Sequence, residues 1–197
     1  MRSKKVLFIL VIASLVILSG CTAKDTGPSQ TGNTSDEEKP SSGTAKERPT
    51  PGSVNAIHFN KLIEFLPPSP SGWTADKPQG FMNTVETGSW SMANEEYSKG
   101  DTARANVGIM DSAYYDVGWF SAWEGIYNYE STEGYAKTTT IKGYPGFESY
   151  TKSSNQYVLY VNVKERFMIY ITVDGADRET MSTFANAIDY AGIAALT

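Results

Sequence analysis

Two neighbouring runs, Tyr157–Val163 and Phe167–Val173, constrain the fold more than any other part of this sequence. Both are rich in β-branched and aromatic residues, the side chains that suit a pleated, half-buried surface. In the first run Leu159, Val161 and Val163 alternate with Val158, Tyr160 and Asn162. Alternate residues of a strand point to opposite faces, so one face is wholly apolar and the other mixed. Only Lys164-Glu165-Arg166 separates the runs. So short a connection makes an antiparallel pair, since a parallel one needs a crossover of a dozen residues or more. The apolar face then requires a second layer to cover it.

The rest of the chain supplies that layer. Phe59, Leu62, Ile63 and Leu66 fall at i, i+3, i+4 and i+7, one apolar face of a short helix that Pro67-Pro68 ends. Pro70, Gly72 and Pro78-Gln79-Gly80 predict a loop around Trp73. Ser89–Ser98 and Thr102–Met110 are extended runs joined by Lys99-Gly100-Asp101, an antiparallel hairpin. In the second, Ala103, Ala105, Val107 and Ile109 form the buried face, with Arg104, Asn106 and Gly108 on the wet one.

The period then changes. Trp119, Phe120, Trp123, Ile126 and Tyr127 recur every three or four residues, which predicts an amphipathic helix over about Asp116–Tyr129. Tyr135–Ile141 and Phe147–Thr151 are further strands about a Lys142-Gly143-Tyr144-Pro145-Gly146 turn. After Asp174-Gly175, Asp177 is a plausible N-cap for a C-terminal helix lined by Met181, Phe184, Ala185, Ile188 and Gly192. The order helix, strands, helix, strands, helix, with short turns between strands, predicts an α+β class: a mainly antiparallel sheet with flanking helices.

Ahead of this lies a different kind of sequence. Arg2, Lys4 and Lys5 precede the apolar run Val6–Leu18, and Leu18-Ser19-Gly20-Cys21 closes it with small residues and a cysteine. That layout is an export signal. The run is shorter than the ~20 residues of a spanning helix. Its last four residues resemble a lipobox, which implies that Cys21 is lipidated and becomes the mature N-terminus. Cys21 is the only cysteine, so no disulfide is expected. Thr22 to about Gly52 is rich in Ser, Thr, Gly, Pro, Lys and Glu and nearly devoid of apolar side chains. Such a segment cannot offset the entropy of ordering and is expected to be a disordered tether, with an r.m.s. span of roughly 30 Å. The expected organisation is a signal peptide over 1–21, a tether over 22–52 and a single domain over 53–197. A domain of that length hides ~70% of its unfolded surface and needs no disulfide.

Charge removes one class of partner. From Ser53 onward 17 carboxylates face 10 Lys and Arg. Nucleic-acid binding rests on cations neutralising phosphates, so that class is not expected. The acidic balance also argues against the domain lying on anionic lipid, leaving the lipidated N-terminus as the membrane contact.

The residues for most catalytic chemistry are sparse. His58 is the only histidine and sits beside the tether, and no Gly-x-Ser-x-Gly elbow is present. Zinc would need Cys/His clusters, calcium alternating oxygen ligands about a glycine turn, and phosphate a Gly-rich loop. None is found, and no cofactor is expected. Paired carboxylates could hydrolyse glycosides, with Glu95, Glu96, Asp111, Asp116, Glu124 and Glu148 as candidates. Adjacent Glu95 and Glu96 point to opposite faces of a strand, and the acids in general are expected at the solvated surface. One feature remains: eight aromatics between Tyr114 and Tyr135. Aromatic side chains dominate interface energetics. Tyr115, Trp119, Phe120, Trp123 and Tyr127 are therefore the candidate ligand- or partner-binding residues, although a helix covering a sheet needs the same side chains.

A resemblance adds to this. Leu66-Pro67-Pro68 to Gly72-Trp73, Glu96-Tyr97-Ser98-Lys99-Gly100, Val107-Gly108-Ile109-Met110-Asp111, Ile141-Lys142-Gly143-Tyr144-Pro145-Gly146 and Arg166-Phe167 resemble a group of uncharacterised prokaryotic exported proteins. The element order is similar to the Mog1/PsbP-like fold, whose members include binding and assembly proteins. The resemblance carries no functional residue across. It implies a binding role, and together with the export signal and Cys21 the expectation is a lipid-anchored extracytoplasmic binding or assembly-accessory protein with no catalytic activity, partnered by the membrane through Cys21 and by an envelope protein or glycan. The alternative is a cell-surface hydrolase using paired carboxylates on polysaccharide.

Overall fold

A computed structural model describes residues 49–50, 52–115 and 128–197. The described residues hold three short helices, α1 (Phe59–Ile63), α2 (Arg178–Ala187) and α3 (Tyr190–Ala194). They also hold nine strands: β1 (Thr74–Ala75), β2 (Gln79–Val85), β3 (Gly88–Lys99), β4 (Ala103–Asp111), β5 (Tyr129–Ser131), β6 (Gly134–Ile141), β7 (Tyr144–Thr151), β8 (Gln156–Val163) and β9 (Phe167–Asp174). All pair antiparallel in one sheet of order β1-β3-β4-β9-β8-β7-β6-β5, with β2 also on β3. This is the α+β class that the short turns predict. No helix among the described residues is long and apolar enough to cross a membrane.

The helices gather on one face. Leu159, Val161 and Val163 of β8 meet Ile169, Ile171 and Val173 of β9 and Ala105, Val107 and Ile109 of β4, all buried. Over them lie Leu62 of α1, Met181, Phe184 and Ala185 of α2, and Tyr190 and Ile193 of α3. Phe184 anchors the contact, with Tyr97 at 4.8 Å and Trp73 edge-on at 5.5 Å between ring centroids. His58 is exposed and caps α1, its Nδ1 accepting from the Asn60 amide at 3.2 Å. Asp177 caps α2, accepting from the Thr180 amide at 2.9 Å.

Gly108, expected on the wet face of β4, is buried because the Tyr170 ring lies across it. A Cβ there would come within 2.2 Å of that ring.

Several local expectations are corrected. The stretch about Trp73 is not all loop: Thr74–Ala75 and Gln79–Val85 pair along the outer side of β3. The predicted turn at 142–146 is only Lys142-Gly143, both with positive φ, and β7 starts at Tyr144. Pro145 is tolerated because the β7–β8 pairing begins one residue later, at Gly146. The C-terminal helix is two helices. Ile188 turns to extended backbone and Asp189 starts α3 as its N-cap, which keeps the Ile188 side chain in the core. Of the expected helix over Asp116–Tyr129, 116–127 lie outside the described residues, while Tyr129 belongs to β5.

Candidate functional site

Two of the acids expected at the surface are buried. Asp111, at the end of β4, is 0% exposed. The register Asp111↔Phe167 brings it beside Arg166, 2% exposed, in the β8–β9 turn. Arg166 grips it at both oxygens, Nε to Oδ1 at 2.9 Å and Nη2 to Oδ2 at 2.8 Å. Asp111 also accepts from the Ile57 and Ala113 amides, each at 2.8 Å. Burial alone would lower the Arg166 pKa. The hydrogen bonds and charge of Asp111 outweigh it and hold the guanidinium above its ordinary value. Two and three residues on, Ala113 and Tyr114 have φ of 47° and 66°, a conformation costly for side chains with a Cβ. The carboxylate therefore ties together the lead-in to α1, the end of β4 and the β8–β9 turn.

Glu148 of β7 is the second such acid, 1% exposed. Arg178, the first residue of α2, donates Nε to its Oε1 at 2.6 Å and Nη2 to its Oε2 at 2.7 Å. The Tyr135 hydroxyl donates to Oε1 at 2.5 Å, and Lys137 Nζ stands 3.8 Å away. Burial pushes the Glu148 carboxyl up, but these donors and cations together hold it below its ordinary value. Burial and the hydrogen bond to Glu148 push the Tyr135 hydroxyl well up, so it stays protonated and donates. Alternate pairing then sets Tyr135, Tyr150 and Tyr157 in one cross-strand row. Tyr150 and Tyr157 stack at 4.4 Å, and Tyr135 lies 6.0 Å from Tyr150.

A cleft of about 80 Å³ opens beside this cluster, between α2 and the outer strands. Ile141, Glu148 and Leu159 line the strand side. Arg178, Ser182 and Asn186, spaced by four on α2, line the other with Met181 and Ala185. Lys142 donates to the Asn186 and Ile188 carbonyls at 2.7 and 3.1 Å and so caps α2. Besides Arg178, Lys137 stands as a second cation beside Glu148, on a domain that is otherwise acidic. Small-molecule sites usually span ~300–1,000 Å³, so this cleft suits one group projecting from a larger ligand.

The candidate binding residues divide. Trp119, Phe120, Trp123 and Tyr127 lie outside the described residues, as do Cys21, Asp116 and Glu124. Tyr115 is half-buried, with its ring against the β2–β3 hairpin: a Cβ on Gly88 would sit 2.1 Å from its hydroxyl. Glu95 is half-buried and 2.7 Å from the Tyr97 hydroxyl, whereas Glu96 is exposed. Among the described residues no group of three or more His, Cys, Asp or Glu is placed to hold a metal. Sequence reasoning missed Arg166 and Arg178 as partners, and Tyr150 and Tyr157 as a row with Tyr135. Pairing Tyr150 with Tyr157 across the short turn after Thr151 was the available signal for the row. Comparison with protein-family models, curated proteins and solved structures gives no match.

Proposed function

We infer that the protein is a lipid-anchored extracytoplasmic binding or assembly-accessory protein, held at the membrane through Cys21 and without catalytic activity. Its fold we take to be of the Mog1/PsbP-like kind, a resemblance supported by the antiparallel sheet with helices on a face. The observation that carries the binding role is the cleft beside α2. It is small, and its buried carboxylate, which Tyr135 and Lys137 also approach, is already held by a guanidinium at both oxygens. A general acid or base must be within reach of a substrate proton and able to exchange its own. Glu148 and Asp111 are both engaged in fourfold or near-fourfold hydrogen bonding, which favours recognition over proton transfer. Lys137 and the tyrosine row suit a carboxylate- or hydroxyl-bearing group of an envelope protein or glycan. The aromatic segment containing Trp119, Phe120, Trp123 and Tyr127 is the second candidate contact of that partner.

The test is co-isolation from native membranes with the full-length anchored protein as bait. Lys137→Gln removes this second cation from a partly exposed side chain. It is expected to lower partner recovery at least tenfold while the chain stays folded and unfolds cooperatively. Undiminished recovery would reject the cleft. Cys21→Ser is expected to leave a precursor or a released form; a variant that stays membrane-bound at the mature mass would reject the anchor.

A further inference from the structure

The outer edge of the sheet differs at its two ends. At one end stands β5, three residues long, with Glu130 at its centre. Shortness and charge are devices that keep edge strands from pairing with other chains. At the other end stands β2, Gln79–Val85, seven residues without a charge or a proline. Among the described residues β2 pairs with β3 alone. It also carries two of the exposed large apolar side chains, Phe81 at 42% and Val85 at 52%.

The geometry of the hairpin says which groups β2 offers. Val85 pairs with Gly88 across the two-residue turn Glu86-Thr87, so that pair closes the turn through its own hydrogen bonds. Counting back by twos, residues 79, 81, 83 and 85 direct their amides and carbonyls to β3. Those of Gly80, Met82 and Thr84 point outward. Phe81, Asn83 and Val85 lie on the sheet face of Trp90, whose ring meets Phe81 edge-on at 5.0 Å. Gly80 lies on the opposite face, under Phe59 of α1.

We propose that β2 is a self-association edge, pairing antiparallel with β2 of a second copy of this chain about a two-fold axis at Asn83. In that register Met82 and Thr84 of one copy face Thr84 and Met82 of the other. The two pairs exchange four backbone hydrogen bonds. Phe81 of each copy meets Val85 of its partner on the same face, so each of these exposed apolar side chains gains one apolar partner. Cross-strand aromatic and β-branched pairs are among the stabilising ones. The interface is isologous, as a two-fold requires. It also brings two acidic domains together along an uncharged strand, the place where like charges are not set opposite one another. A single strand pair buries less than the ~1,200–2,000 Å² of a standard interface, so the dimer is concentration-dependent rather than obligate. This proposal does not rest on the ligand-binding role of the cleft.

The experiment is oxidative cross-linking of the full-length chain in detergent, read by peptide mapping. Cys21 is the only native cysteine, so an added one is identified by its peptide. Asn83 faces itself across the axis in a non-hydrogen-bonded pair, where Cα atoms lie ~4.5 Å apart, within disulfide range. Thr84 faces Met82, so the two Thr84 positions stand beyond that range. Asn83→Cys is expected to give a disulfide joining position 83 of two copies in at least tenfold higher yield than Thr84→Cys gives at 84. Thr84→Pro deletes an outward amide while leaving the ladder to β3 intact. It is expected to weaken self-association at least tenfold at unchanged unfolding temperature. Preferred cross-linking at 82 or 84, or a sedimentation mass that stays monomeric up to millimolar chain, would overturn the proposal. So would a monomeric chain whose β2 takes up a strand from another protein, lost on Thr84→Pro.

Discussion

Arg166→Ala is the most informative single substitution for stability. The change removes a guanidinium that donates twice to Asp111 and, at 3.2 Å, to the Asn55 carbonyl. It also removes contacts with the rings of Tyr114 and Phe167, 5.5 and 5.0 Å from the guanidinium carbon. What it leaves is a carboxylate with 0% exposure and only two backbone amides for partners. Breaking a buried pair by deleting one member costs about 3–5 kcal/mol, a large part of the ~5–15 kcal/mol that holds a typical domain folded. The companion variant Arg166→Met with Asp111→Leu separates the pair from its surroundings. An isolated buried pair can be replaced by apolar residues at little cost. Here the Ile57 and Ala113 amides would lose their acceptor, at about 1–3 kcal/mol each, so the double variant should remain about 2–6 kcal/mol below the parent. Urea unfolding midpoints at constant m measure both differences. A loss below about 1 kcal/mol for Arg166→Ala, or full recovery in the double variant, would refute the view that Asp111 is a junction of three segments rather than half of a pair.

Three further substitutions have definite expected outcomes. Glu148 has a folded pKa below its unfolded value, so its stabilisation is present above the unfolded value of ~4.3 and is lost as pH falls through the folded one. Glu148→Gln should therefore lower stability at pH 7, by on the order of 1 kcal/mol since Arg178 is half exposed, and flatten the acid limb of unfolding temperature against pH. An unchanged acid limb would count against the assignment. Gly88 has φ of 143°, and a Cβ there would collide with Tyr115, so Gly88→Ala should cost at least about 1–3 kcal/mol. Among the described residues the buried Tyr115 hydroxyl has no hydrogen-bond partner, so Tyr115→Phe should be neutral or stabilising; a loss above about 1 kcal/mol would show that the hydroxyl is used.

The strands that could be read in the sequence are those with both a clean alternation and a punctuated turn. β3–β4 and β8–β9 meet both conditions, and their core faces match the alternation of Ala105, Val107 and Ile109 and of Leu159, Val161 and Val163. β2 meets neither. Its Gln-Gly-Phe-Met-Asn-Thr-Val run shows no clean alternation, because polar Asn83 separates Phe81 from Val85 on one face and Gly80 and Thr84 flank Met82 on the other, and Pro78 beside it suggests a loop. The break after α2 left only a faint trace, the Asp189 cap, since Ile188 and Gly192 continue the helical spacing. The two buried ion pairs were hidden for a different reason. Asp111 and Arg166 are 55 positions apart, Glu148 and Arg178 30, and each pair exists only once the sheet register is set. Nothing in the local pattern distinguishes a carboxylate awaiting such a partner from one that stays in water.

The position of β9 has a consequence for how the chain acquires its structure. It is the last strand in sequence, yet it lies at the centre of the sheet, where 104–111 pair with 167–174. During synthesis the β2–β3–β4 meander therefore emerges first, with the inner edge of β4 bare, and waits for almost the whole remaining chain. Such late, distant closure slows folding and leaves an open ribbon exposed to other chains meanwhile. A chain stopped short of Phe167 would yield unsealed half-sheets prone to join one another rather than a smaller stable domain.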